Sequence, residues 1–357
     1  MKALFLDKTT REVHLTAILP ASAIDAAEVV LRLLAQAQAA GATVVSAEIF
    51  APKSFVPSFD FLKNTPVPVN WICPLDETSR PHLAGVHIVA IAGATPQFFR
   101  SESGVKAAVY EDSQNVYLRS FGIVSPEHND DGYLHTLDNL HVLETTLALG
   151  GFTFGDVVRT WFYNDDILAW YQQFNKGRTE FYRAREVFDK LLPASTGIGA
   201  PNPSGSKIIS GVFAVKNKFG KSNGDKDFIF ELPSPLQGGA TEYGSSFSRA
   251  VELDTSTGRR IMISGTASIA PNGNTLYFGD IKKQVALTTD VIGAILKSRG
   301  MDFKDTINSV VYCRHPEFFA EFESWNAAHN IPFCPSYSIV CRDDLMFEIE
   351  LEAAINK

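Results

Sequence analysis

Two stretches of this chain, GGFTFGDVVRTWFYND (150–165) and RGMDFKDTINSVVYCR (299–314), repeat one pattern. In each, a glycine of the kind that ends a helix is followed by a short turn and then by an apolar run of strand length. Internal repeats reveal how a chain is organised before any single motif does. The two stretches therefore predict that the chain contains two copies of one structural unit.

The elements around the two stretches follow the same order in both copies. Each copy begins with a strand, in NVYLRSFGIVSP (115–126) and in RRIMISGTASIAP (259–271), and continues helix, strand, helix, strand, strand. This grouping is typical of an α+β fold in which helices cover one face of a mixed sheet. We predict an N-terminal domain over residues 1–220, with residues 1 to about 85 as an elaboration, and a C-terminal domain over residues 221–357.

The composition narrows the class of function. The chain has 357 residues, 45% of them hydrophobic and 20% charged, as in ordinary globular proteins. A net charge of −8 without a Lys/Arg run argues against a nucleic-acid partner. No segment has the pattern of a signal peptide or a membrane span, so we expect a cytoplasmic protein without a membrane partner.

Cysteine and histidine spacing gives no sign of a metal site or of another cofactor. RHPEFF (314–319) and SPEHNDDGYLH (125–135) place histidines near acids, but neither has the spacing of metal ligands. The cysteines lack a CxxC or zinc-ligand pattern and are expected to be reduced thiols; they are Cys73, Cys313, Cys334 and Cys341.

The chain ends in CRDDLMFEIELEAA (341–354), where glutamates alternate with apolar residues. A period of two predicts a strand with one acidic and one apolar face. The acidic face carries Glu348, Glu350 and Glu352. This acidic face is either the solvent-exposed face of an edge strand or a part of an active site in which one carboxyl group serves as an acid.

Residues 243–357 resemble the YjgF-type reactive-intermediate deaminase superfamily, through ISGTASIAPNG (263–273), SVVYCRHPEFFAEF (309–322) and the final FEIELEAA. From about residue 105 to the end, the chain resembles the chorismatase family, which is similar to two such domains in tandem. The motifs that carry this second resemblance are RTWFYND (159–165), FNKGRTEFY (174–182), YGSSFSRA (243–250) and CRDDLMFEIE (341–350). It implies a small-molecule substrate, chorismate, whose enolpyruvyl ether is cleaved to release pyruvate.

The resemblance also implies which residue is the acid. The deaminases carry an acid at the first glutamate of the final strand, which is Glu348 in the second copy but Ile209 in the first. They also hold a substrate carboxylate with an arginine, and the matching positions here are Ser195 and Ser336. The missing arginines argue against the alternative of an enamine or imine deaminase. Glu348 is thus the predicted general acid, and Glu350 and Glu352 are expected to support it or the fold.

Cys341 distinguishes two product branches within the resemblance. Chorismatases that form 3-hydroxybenzoate resemble this chain in having a cysteine there, whereas the branch that forms a dihydroxycyclohexadiene carboxylate has a small inert residue. We therefore predict 3-hydroxybenzoate, with the thiol steering the ring intermediate. A buried structural cysteine is the alternative for Cys341, and a ligand-binding protein without turnover is the alternative for the whole chain.

The remaining candidates would bind the substrate. Asn175 matches a site-lining asparagine of the deaminases, and Arg178 follows one turn later on the same helix face. Two carboxylates call for guanidinium partners, and surface ion pairs are the alternative for each arginine. Arg342 is the weakest candidate, because on a strand it would face away from Cys341. The other predicted binding residues are Arg159, Arg249, Tyr243, Phe247, Ser264 and Gly265. We expect a site that both copies share, either within one chain or between the chains of a homo-oligomer.

Overall fold

The computed structural model describes residues 1–78, 83–126 and 130–357, and these residues form three β-sheets with helices packed on them. The first sheet and its helix consist of β1 (Lys2–Phe5), β2 (Arg11–Ile18), α1 (Ala23–Ala39), β3 (Ala42–Phe50), β4 (Val69–Ile72) and β5 (Gly85–Ala92). Between β3 and β4 lies a 3₁₀ segment, Lys53–Leu62.

The second and third sheets have six strands each. The second consists of β6 (Gln97–Arg100), β7 (Lys106–Glu111), β8 (Asn115–Ile123), β9 (Val157–Asn164), β10 (Ala194–Gly199) and β11 (Ile208–Asn217), with helices α2 (Gly132–Leu149) and α3 (Ile167–Arg183). The third consists of β12 (Ile229–Leu232), β13 (Ala250–Asp254), β14 (Gly258–Ala267), β15 (Thr306–Cys313), β16 (Cys334–Tyr337) and β17 (Phe347–Asn356), with α4 (Ile281–Ser298) and α5 (Phe319–His329).

The three sheets share one strand order. The second sheet runs β6-β7-β8-β11-β9-β10, the third β12-β13-β14-β17-β15-β16, and the first β1-β2-β5-β3-β4. In each sheet the last two strands of this order are parallel and all other pairs are antiparallel. The predicted α+β class with mixed sheets is confirmed, and the first sheet has the same order without the outermost strand.

The N-terminal segment thus differs from the predicted elaboration of the first copy, because it forms a sheet of its own. The sequence pattern concealed this similarity for a physical reason. Where the other two units have a second α-helix, this one has the 3₁₀ segment Lys53–Leu62, which contains Pro57, a residue that interrupts regular α-helix. The predicted boundary near residue 220 falls in the connection between β11 and β12.

Both faces of each sheet are buried. On one face the sheet packs against its own helices, as in the cluster around Leu143, Phe174 and Val212 of the second unit. On the other face all three sheets meet in a shared core that includes Phe50, Tyr163 and Tyr312. Burial on both faces explains why β9 and β15 have no exposed position and read as nearly continuous apolar runs.

Charged side chains lie inside this shared core. Glu12 on β2 accepts hydrogen bonds from Arg260 Nη1 on β14 (2.7 Å) and Arg119 Nη2 on β8 (3.4 Å). Arg260 also donates to Glu352 on β17. The two guanidinium groups hold the pKa of Glu12 well below its usual range, although burial opposes this. One buried carboxylate thus joins all three sheets. No helix among the described residues is both long enough and apolar enough to cross a membrane.

This arrangement predicts that Glu12→Gln destabilises the fold strongly. The substitution leaves two buried guanidinium charges without their shared carboxylate, which typically lowers the free energy of unfolding by about 3–5 kcal/mol. Urea denaturation followed by circular dichroism measures this difference. Lys304→Ala, which removes an exposed ion pair with Asp302, is the control and should leave the curve unchanged. An equally small effect for Glu12→Gln would contradict the proposed importance of the buried charge.

Candidate active site

A cavity of about 440 Å³ lies between the second and third sheets. One wall comes from helix α3 and strand β10 of the second unit, and the other from β14, β17 and the 244–249 segment of the third. Both units of the predicted repeat therefore contribute to it. This agrees with the expectation of a shared site, and the shared site lies within one chain.

The predicted acid, Glu348, reaches this cavity from the centre of the third sheet. Its strand β17 pairs with β14 on one side and β15 on the other, so it is not an edge strand. The alternative of a wet edge face is wrong, because Glu348, Glu350 and Glu352 are only 5%, 4% and 8% exposed. Gly265 on β14 makes room for the acid, since a β-carbon there would overlap the carboxyl oxygen of Glu348.

The three glutamates of β17 have different surroundings. Glu352 is ion-paired with Arg260, and its pKa is lowered by Arg260 and Arg119 against the effect of burial. Glu350 accepts hydrogen bonds from Arg159 Nη2 (2.8 Å) and from the Trp161 indole (2.9 Å).

Glu348 has no ion pair within the part of the chain that the structure describes. Burial, with the neighbouring Glu350 charge, raises its pKa to about 8, while Arg159 and Arg249 act in the opposite direction. Glu348 is therefore largely protonated at neutral pH and able to donate a proton.

Cys341 also lines the cavity. It lies in a bend after β16 rather than on the predicted strand. Burial, together with the charge of Glu348, raises the pKa of the thiol to about 12. The Tyr171 hydroxyl, whose own pKa is raised by burial, lies close enough to interact with the thiol. Cys341 is thus a neutral thiol beside the acid, which fits a steering role better than a nucleophilic one.

Arg178 and Asn175 contact each other on the cavity wall, as their spacing predicts. Arg178 Nη2 donates to Asn175 Oδ1 at 2.7 Å, and Nη1 lies 3.5 Å from Ser195 Oγ. The guanidinium is 4.8 Å from the centre of the Phe174 ring and only 2% of the residue is exposed. Among the described residues it has no carboxylate partner. A buried cation held by neutral groups is poised to bind an anion.

The other predicted binding residues are divided between the cavity wall and the layer behind it. Arg249 and Phe247 line the cavity, and their side chains lie 5.7 Å apart, measured from guanidinium carbon to ring centre. Ser264 lies behind the wall, where its hydroxyl accepts from the Ser195 backbone N–H at 2.9 Å. Tyr243 ends a 3₁₀ turn, and its side chain is not among those described.

Arg159 is a correction to the predicted set of substrate-binding residues. It does not line the cavity, because its guanidinium binds Glu350, Thr196 Oγ1 (2.7 Å) and the Ile263 carbonyl (3.1 Å) behind it. Arg342, the weakest arginine candidate, does line the cavity. The expected strand geometry does not apply to it, because residues 341–344 form a bend followed by a turn.

Several residues of the wall were not predicted from the sequence, among them Tyr171 and Ser245. Tyr171 could have been found, because positions 171, 175 and 178 lie at i, i+4 and i+7 and share one face of α3. Ser245 lies within the YGSSFSRA motif, but nothing in the pattern separates it from Ser246.

The described residues contain no group of three or more His, Cys, Asp and Glu side chains able to hold a metal ion. His128 of the SPEHNDDGYLH motif lies outside the described residues. All four cysteines are unpaired, and Cys73, Cys313 and Cys334 are buried.

Comparisons with known proteins give a consistent result. Residues 240–355 match the family model Endoribonuclease L-PSP. A chorismatase of Streptomyces rapamycinicus is 27% identical over 57% of this chain and 65% of its own length, just under two thirds. A chorismatase of Streptomyces hygroscopicus is 27% identical over 70% of this chain and 75% of its own. A crystal structure of a chorismatase superposes with a TM-score of 0.64 at 20% identity, over 87% of this chain and 93% of the other. The predicted resemblance to the chorismatase family is confirmed.

The raised pKa of Glu348 predicts how Glu348→Gln changes stability with pH. An acid with a pKa near 8 in the folded protein and near 4.5 when unfolded keeps its proton in the folded state, so wild-type stability falls as pH rises between these values. The free energy of unfolding of Glu348→Gln, relative to that of the wild type, should therefore rise by up to about 5 kcal/mol from pH 4.5 to pH 8. It should not rise further above pH 8.

Thermal melts across this pH range test the prediction. The matched control on the same strand is Glu352→Gln, where the sign is opposite. Because folding lowers the pKa of Glu352, its charge stabilises the fold at pH values above the pKa that Glu352 has in the unfolded chain. The variant should therefore be less stable than wild type at neutral pH. If both variants followed the same pH dependence, Glu348 would not be a protonated acid.

Proposed function

We propose that this chain, which resembles the chorismatases in sequence and fold, cleaves the enolpyruvyl ether of chorismate and releases pyruvate. The observation that carries the proposal is the pairing, in one cavity, of a buried acid that keeps its proton with a buried cation that has no carboxylate partner among the described residues. The two groups are Glu348 and Arg178. We expect the reaction in the cytoplasm, without a cofactor.

The charges of the cavity suit a dianionic substrate. Glu348 and Glu180 are the carboxyl groups among its lining residues, and Glu348 is largely neutral near pH 7. The cationic residues of the lining are Lys176, Arg178, Arg183, Arg249 and Arg342. We infer that Arg178 binds one substrate carboxylate, because it is the cation most removed from water and its desolvation is offset only when an anion is bound. Arg249 and Arg342 are the candidates for the second carboxylate.

The reaction would begin with a proton transfer to carbon. Glu348 donates its proton to the methylene carbon of the enol ether, which produces an oxocarbenium ion, and the carboxylate that remains stabilises this cation. Attack by water or by the substrate's own hydroxyl group then leads to release of pyruvate. With water, the second product is a dihydroxycyclohexadiene carboxylate; without net water uptake, it is 3-hydroxybenzoate.

We further propose the 3-hydroxybenzoate branch, supported by the position of Cys341 beside the acid. The protonated thiol interacts with Tyr171, and both side chains line the cavity together with Glu348. We infer that these two side chains exclude a water molecule from the acid when substrate is bound, which favours attack by the substrate's own hydroxyl group. No ionised thiol is needed for this role.

The decisive experiment incubates the purified protein with chorismate and measures pyruvate through a lactate dehydrogenase couple. Glu348→Gln should lower kcat by about 10²–10⁴-fold, because the amide retains the shape of the acid but has no proton to donate to carbon. Glu323→Gln is the matched control, since this exposed glutamate on α5 takes the position that Asn175 has on α3. Absence of pyruvate with the wild-type protein would refute the chorismatase proposal.

Cys341→Ala should redirect the product rather than abolish turnover. Removing the thiol opens space for water beside the acid, so the fraction of dihydroxycyclohexadiene carboxylate should rise while pyruvate is still released. Chromatography of the aromatic product measures the ratio. Cys73→Ala, which removes a buried thiol of the first unit, should leave the ratio as in wild type. An unchanged ratio in Cys341→Ala would exclude the steering role.

A further inference from the structure

The shared strand order of the three units implies a position between the first and second units that corresponds to the active-site cavity. A cavity of about 250 Å³ lies there. One wall comes from the 3₁₀ segment Lys53–Leu62 and strand β4, which take the places of α3 and β10. The other wall comes from the start of β7 and from β8, the strand that corresponds to β14.

The correspondence extends to single residues. Gly265 of β14 and Gly122 of β8 each lie at a register shift, one residue before strand pairing resumes. Pairing resumes at Thr266, opposite Ile349, in the third sheet and at Ile123, opposite Ser210, in the second. A β-carbon at Gly265 would lie 3.3 Å from Thr196 of β10, and one at Gly122 would lie 2.5 Å from the carbonyl oxygen of Val69 on β4. Both glycines thus allow a strand of the preceding unit to come close, and both line their cavity.

The chemistry of this second cavity is different. Ile209 takes the position of the acid in this unit, and the cavity lining contains no carboxyl group among the described residues. Its walls are apolar and aromatic, formed by Phe59, Trp71 and Phe121 with Val69 and Val105. Phe59 and Trp71 pack edge to face, with their ring centres 5.1 Å apart. A cavity of this size and lining accommodates one six-membered ring.

Three cations lie where the cavity opens. Lys63 and Lys106 line it and also line an adjoining depression of about 350 Å³ that contains Arg100. Lys63 is paired with Asp60 at 2.7 Å. Lys106 donates to the carbonyl oxygens of Lys63 (3.3 Å) and Thr65 (2.5 Å). An ammonium group has three protons to donate, so one remains for a ligand at the mouth of the cavity.

We propose that this cavity is a second, non-catalytic binding site for a small ring carboxylate, with the ring between the aromatic walls and the carboxylate on Lys106. The occupant is an anion because the mouth has an excess of positive charge after the Lys63–Asp60 pair is counted. It carries a ring because the inner lining is aromatic and apolar. The site cannot repeat the proton transfer, since no acid replaces Ile209.

Benzoate is the probe for this site, used with the full chain. Arg178→Leu removes the most buried cation of the active-site cavity and so weakens benzoate binding there, and the binding that remains is assigned to the second cavity by its dependence on Lys106. Calorimetry should then show one saturable site. Adding Lys106→Met should weaken it about tenfold or more, because a charge-assisted hydrogen bond is lost. Lys106→Arg retains the charge and should bind within about threefold of the parent.

Two controls make the result specific. Lys2→Met, which removes another lysine that donates to a backbone carbonyl, should leave benzoate binding unchanged, and benzamide should bind more weakly than benzoate. If Lys106→Met lowers the melting temperature, Val56→Trp fills the same cavity from its wall and should also abolish binding. No saturable binding in Arg178→Leu, or binding indifferent to both cavity variants, would overturn the proposal.

Discussion

The arrangement of the three units depends on a single buried carboxylate, Glu12. It receives guanidinium groups from Arg119 and Arg260, so β2, β8 and β14, one strand from each sheet, are joined at one point. Removing charges from water is costly, and only close pairing of opposite charges offsets the cost. The sheets therefore cannot slide or rotate relative to one another without separating these charges. The cavities between the units keep their shape for the same reason.

The same charge network determines which glutamate of β17 can act as an acid. Arg260 is paired with Glu352, and Arg159 with Glu350, so two of the three carboxylates have a guanidinium partner. The third, Glu348, has no such partner among the described residues, and the charge of Glu350 lies next to it. A strand with three similar carboxyl groups thus contains two that are paired with guanidinium groups and one, Glu348, whose pKa is raised. Burial without a paired guanidinium group makes the difference, rather than residue type.

Sequence patterns could predict the parts of the site that depend on local spacing or on aligned motifs. Asn175 and Arg178 share a helix face, and their hydrogen bond follows from that spacing. The role of Arg159 could not be predicted in this way, because its partner Glu350 is 191 residues away on another sheet. The similarity of the first unit to the other two was not visible in the sequence, because Lys53–Leu62 is a 3₁₀ segment containing Pro57 where the other units have an α-helix. Contacts between sheets and departures from regular helix are set by tertiary packing, which a local pattern does not record.

The centre of the molecule, where the three units meet, also shows an advantage of joining them in one chain rather than assembling a ring of three identical subunits. The hydroxyl groups of Tyr163 and Tyr312 meet there at 2.9 Å, and burial, together with Glu350 of the third unit and Glu48 of the first, raises the pKa of both tyrosines. In a ring of three identical copies, every substitution at the axis would appear three times. Here each of the three units has its own residue at the centre, so a single substitution can change the charge there by one elementary charge. Each interface is consequently free to diverge while the other two remain as they are.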